Sequence, residues 1–136
     1  MMTKLALLLT LAAGCSSSST IDGPIDYTQS SGLAAIQTTL HIEPDGAVTY
    51  SKGSQPRIES TLDSAQLAEI YDQASAARFD SLAGSYACAC ADVPTYQLTV
   101  RVDDRPYTVN VAASAQVPAA LDTFLRTLIS LAADKE

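Results

Sequence analysis

Thr95-Tyr96-Gln97-Leu98-Thr99-Val100-Arg101-Val102 is the stretch from which the fold is read. Tyr96, Leu98, Val100 and Val102 alternate with Thr95, Gln97, Thr99 and Arg101, the period-two pattern of a strand with one buried and one wet face. Asp103-Asp104 turns the chain, and Tyr107, Val109 and Val111 carry a return strand. Pro106 has no N–H, so that strand starts where no ladder bond is needed or lies at an edge. A second hairpin stands upstream. Ile36, Thr38, Leu40 and Ile42 alternate with Gln37, Thr39, His41 and Glu43, and Val48 and Tyr50 continue the pattern beyond Pro44-Asp45-Gly46. In that turn proline presets φ, aspartate bonds the local backbone and glycine tolerates φ > 0. Gly53 and Pro56 break the second strand; Ile58, Ser60 and Leu62 suit a further short strand or a continuation beyond a bulge.

Helical periodicity follows each hairpin. Asp63 stands three residues before Gln66, as in a capping box, and Leu67, Ile70, Tyr71 and Ala74 form one apolar stripe ending near Ala77. Pro118 opens the second helix, where its missing N–H costs nothing. Val117, Leu121, Phe124, Leu125, Leu128 and Leu131 form the apolar face of this helix, opposite Asp122, Arg126 and Ser130. The predicted fold is α+β: an antiparallel sheet of two β-hairpins with two helices on one face, in the order ββαββα. The other sheet face then displays Thr39, His41, Glu43, Gln97, Thr99 and Arg101.

The amino terminus reads as an export signal. Lys4 precedes the apolar run Leu5–Ala13, which ends in small residues and falls far short of the ~20 residues needed to span a bilayer. Leu11-Ala12-Ala13-Gly14-Cys15 resembles the lipobox of bacterial lipoproteins. The resemblance implies cleavage before Cys15, a diacylglyceryl thioether on its sulfur and acylation of the new amine. Several acyl chains make a firm membrane anchor where one does not. Ser16 after the cysteine implies outer-membrane export in a Gram-negative cell. The predicted organisation is a signal peptide over residues 1–14, an acylated flexible tether over 15–32 and one α+β domain over 33–136. The tether carries Ser16–Ser19 and Gly23-Pro24 with little periodicity.

The chain has 15 acidic residues against 8 lysines and arginines, a net charge of −7. Such a balance leaves no electrostatic footprint for nucleic acid and repels anionic lipid, so the anchor rests on acylation. With Cys15 lipidated, Cys88 and Cys90 remain as an even pair in an oxidising compartment. In an extended strand their Cα atoms would lie ~6.6 Å apart, the outer edge of disulfide geometry, so a bridge demands a turn. Two free thiols are the alternative.

No catalytic constellation emerges, and no cofactor is expected beyond the lipid on Cys15. His41 is the single histidine, no G-x-S-x-G elbow accompanies it, and all six glycines are isolated. Zinc on His41, Cys88, Cys90 and Asp92 is chemically possible but lacks the usual ligand spacing. The domain pattern resembles the small emfourin-like proteins. The resemblance is carried by the Leu67-x-x-Ile70-Tyr71 stripe ending in Arg78-Phe79-Asp80-Ser81-Leu82, the Tyr96-x-Leu98-x-Val100 hairpin and the Pro118-led helix. It implies the ββαββα fold and inhibition of a thermolysin-like metalloprotease. Inhibitory residues do not carry over, because Pro44-Asp45-Gly46 replaces the glycine-rich first hairpin of the inhibitor.

The expected function is therefore a membrane-anchored envelope lipoprotein with a non-catalytic binding domain, inhibitor-like in form. Its rival is a metal-dependent or enzymatic module using His41, Cys88, Cys90 and Asp92. The contact surface is expected in the Gly84–Pro94 loop, at Ser85, Tyr86, Asp92 and Val93, where a braced loop lowers the ordering cost of binding. The sheet face around His41 and Arg101 is the second candidate.

Overall fold

The computed structural model describes residues 21–31, 36–90 and 93–136. Seven strands form one sheet: β1 (Ile25–Ser30), β2 (Gln37–Ile42), β3 (Ala47–Lys52), β4 (Ile58–Thr61), β5 (Ser85–Tyr86), β6 (Thr95–Val102) and β7 (Arg105–Ala112). Their spatial order is β4-β3-β2-β1-β6-β7-β5. Helices α1 (Ser64–Ala77) and α2 (Ala119–Ala133) complete the mixed α+β architecture.

Both predicted hairpins are present, β2–β3 and β6–β7, the latter in register from Thr95↔Ala112 to Val102↔Arg105. Two-residue loops prefer φ > 0 at both central positions, and Asp103 and Asp104 adopt φ of 51° and 64°. At the β2–β3 turn Gly46 has φ 97°, and its carbonyl accepts the Leu62 N–H at 2.9 Å. A Cβ on Gly46 would lie 3.1 Å from the Leu62 carbonyl oxygen, so this close crossing of β4 requires glycine. Asp63 caps α1 as predicted: its carboxylate accepts the Gln66 N–H at 2.7 Å, and the Gln66 side chain returns to the Asp63 N–H.

The ββαββα order needs correction. The two hairpins are not neighbours, because β1 lies between them, antiparallel to β2 on one side and to β6 on the other. Residues 25–30 were expected in the tether; instead Ile25 and Tyr27 are fully buried and fill the middle of the sheet. The pairing is explained by what lies on either side. Tyr27 sits opposite both Leu40 and Leu98, and its ring packs against Tyr96 with centroids 6.1 Å apart. The sheet is also not wholly antiparallel, since β5 joins β7 in parallel through Ser85 and Tyr86.

The core lies between one sheet face and the two helices. Ile25, Leu40, Ile42, Val48, Leu98, Val100 and Val109 meet Ile70, Leu121, Phe124 and Leu128 there, and Phe79 packs edge-on against Phe124. Ile36, expected in this core, is exposed because it precedes the first paired residue of β2. α1 is tied to the segment that leads into β1, where the Gly23 carbonyl accepts the Tyr71 hydroxyl at 2.8 Å. The carboxyl end of α2 reaches Lys52, which pairs with Glu136 at 2.6 Å. No helix of the described residues is long and apolar enough to cross a membrane.

Candidate functional site

The face turned away from the helices is polar across the sheet. Alternation puts Asp26 and Thr28 of β1, Thr39 and His41 of β2, Thr49 and Ser51 of β3, Gln97 and Thr99 of β6, and Thr108 of β7 on this side. Neighbouring hydroxyls bond across strands, Thr39 with Ser51 at 2.5 Å and Thr99 with Thr108 at 2.9 Å. These residues form an open array of donors and acceptors, and a concavity of about 440 Å³ lined by Ser30, Gln37, Thr39, Ser51 and Gly53 opens at one end of it.

His41 is held near its middle. Its Nδ1 lies 2.5 Å from an Asp26 carboxylate oxygen on the neighbouring strand. Its Nε2 lies 2.7 Å from a Glu43 oxygen two residues along its own strand. Both nitrogens can donate only in the imidazolium form, so the two hydrogen bonds, Asp26 first, raise its pKa above the ordinary 6.5 against a smaller opposing effect of desolvation. In that form the ring bridges the Asp26 carboxylate of β1 and the Glu43 carboxylate of its own strand, and so ties β1 to β2.

The expected loop site is positioned by β5. Ser85 pairs with Asn110 and Tyr86 with Val111, and the Tyr86 hydroxyl accepts the Ala83 N–H at 3.2 Å. Beyond them the Cys88 and Cys90 sulfurs are within bonding distance, with Cα atoms 5.2 Å apart; this is closer than an extended strand would place them, as a local turn requires. Cys88 Sγ also lies 3.3 Å from the Ala113 carbonyl oxygen, which places the turn beside the end of β7. Val93 immediately precedes Pro94 and β6. Cys15 and Asp92 lie outside the described residues.

His41 and the two cysteines are not brought together. Three strands, β1, β6 and β7, separate β2 from β5, a spread of ~19 Å at ~4.8 Å per strand. They also occupy opposite ends of the strands, His41 beside Ile42↔Ile25 and Cys88 beside Ala112↔Thr95. The four-residue zinc arrangement is therefore not assembled. Among the described residues no group of three histidine, cysteine or acidic side chains is placed to hold a metal ion. Sequence reasoning missed Asp26 as the partner of His41; the alternation Ile25-Asp26-Tyr27 was the available signal, too short to stand out.

No curated protein matches the chain. Residues 37–132 match a family model described as a domain of unknown function, DUF6438. The match runs from the first residue of β2 to the last turn of α2, and by it the chain belongs to the DUF6438 family.

Proposed function

We propose that this protein is a lipid-anchored, non-catalytic binding module of the bacterial cell envelope, attached through Cys15. The observation that carries the binding assignment is the one-sided sheet: helices cover one face, and the other stays open as a broad polar surface. A surface of that kind suits contact with a macromolecule rather than enclosure of a small substrate. The binding surface comprises the polar face around His41 and the loop bearing Ser85, Tyr86 and Val93, with a Cys88–Cys90 bridge bracing the loop. The finer assignment, a protease-inhibitor-like module directed at a thermolysin-like metalloprotease, rests on the emfourin resemblance.

The test is capture of envelope and secreted proteins on the immobilised chain, with a metalloprotease assay run alongside. Recovery of a thermolysin-like protease that the chain inhibits supports the inhibitor assignment. A different captured protein, released by Thr39→Arg or Thr99→Arg on the open face, supports a binding module of another specificity. Hydrolytic turnover by the purified chain that His41→Gln abolishes would overturn the non-catalytic assignment.

A further inference from the structure

The insertion of β1 has a consequence for how an anchored domain stands on its membrane. The chain joins the domain well before residue 32. Ile21 bridges Val102, the Asp22 N–H donates to the Arg101 carbonyl at 3.3 Å, and the Gly23 carbonyl accepts the Tyr71 hydroxyl at 2.8 Å. Only six residue steps separate Ile21 from Cys15, a reach of at most about 20 Å.

The two ends of the sheet are thereby distinguished. Ile21↔Val102 and Ile25↔Ile42 place the point of entry beside the turns at Asp103-Asp104 and Pro44–Gly46. Ser30↔Gln37, Ser30↔Thr95 and Thr95↔Ala112 mark the opposite end, where Cys88 and the loop after Lys52 lie. From Val102 to Thr95 the strand covers about 24 Å. An attachment near Gly32 would have put the Cys88 end next to the lipid; threading through β1 reverses this.

We propose that the end bearing Ile21, Asp45 and Asp103-Asp104 is the lipid-facing surface of the protein, and that the Cys88 end is held outward into the aqueous compartment. This inference rests on acylation at Cys15. The partner of the lipid-facing end is a zwitterionic bilayer. Asp22, Asp45, Asp103 and Asp104 outnumber Arg101 and Arg105 there, so anionic headgroups would repel it. The short tether, rather than attraction, sets the orientation.

The test uses the full acylated chain in phosphatidylcholine vesicles, in a Cys88→Ser/Cys90→Ser background. A donor dye is placed at Asp104→Cys or at Gln55→Cys, and energy transfer to acceptor-labelled headgroups is read. Transfer is expected to be at least about twofold stronger from position 104 than from 55, since the strands separate those ends by about 24 Å. Insertion of some 20 Gly-Ser residues after Ser19 is expected to erase the difference, because the reach then exceeds the domain. Equal or reversed transfer from vesicle-bound protein would overturn the orientation while leaving the anchor standing. A difference that survives the long insertion would overturn the tether as its cause. Loss of vesicle flotation in the parent chain, indistinguishable from Cys15→Ser, would overturn the anchor and the orientation with it.

Discussion

His41 is worth more to the fold charged than neutral, because only the imidazolium satisfies Asp26 and Glu43 together. A raised folded pKa makes this contribution complete below the unfolded value of about 6.5, and it fades as pH climbs through the higher folded value. The imidazole side chain is 39% exposed, so screening keeps the effect under about 1 kcal/mol. Urea unfolding of His41→Gln should accordingly show a larger deficit at about pH 6 than at about pH 8, the deficit shrinking as pH rises. A deficit equal at both values would mean the ring contributes packing alone. A second residue-scale prediction concerns the β6–β7 turn. Asp104 holds φ 64°, a conformation glycine adopts without a Cβ penalty. Asp104→Gly should therefore raise stability by about 0.5–1 kcal/mol, read as a higher urea midpoint at unchanged slope. A lower midpoint would show that the carboxylate makes a contact outweighing the strain.

Among the elements, β1 carries the most for its length. Six residues pair with two strands at once, and Ile25 and Tyr27 are fully buried between the hairpins. Tyr27 packs on Tyr96, and its hydroxyl donates to Gln29 at 3.0 Å, which satisfies the polar atom of its own side chain. Truncation to Tyr27→Ala leaves a ring-sized cavity and should cost about 3–4 kcal/mol in chemical unfolding. A loss under about 1 kcal/mol would mean that the strand is peripheral to the cooperative unit. β4 makes a useful contrast, since it is an edge strand with Ile58 exposed and Glu59 facing outward. Its short length and charge limit edge-to-edge association.

At the scale of the molecule, the family match begins at residue 37, one strand after the fold begins. Without β1 the sheet parts into β4-β3-β2 and β6-β7-β5. The burial lost at Ile25 and Tyr27 alone is worth about 3–6 kcal/mol, against a typical total stability of about 5–15 kcal/mol. A fragment of residues 37–136 is thus expected to show no cooperative thermal transition by circular dichroism, whereas residues 21–136 should melt cooperatively. A sharp transition in the shorter fragment would refute the structural role of β1. The sequence by itself determined the two hairpins, the capped helix at Asp63 and the Pro118-led helix. Each rests on alternation, helical spacing or turn chemistry within a few residues, and such local signals survive without knowledge of neighbours. It also determined much of the core, because a strand's buried side follows from its own period, but it placed the exposed Ile36 there and left the fully buried Ile25 and Tyr27 in the tether. Strand order is different in kind. β1 shows only two alternating apolar residues, and its place was decided by the gap that Leu40 and Leu98 leave between two distant hairpins. The same tertiary placement brought Asp26 to His41, parted His41 from Cys88 and Cys90, and chose the end at which the chain enters the domain. None of these is encoded at short range, since each depends on which strands lie side by side after the core has closed.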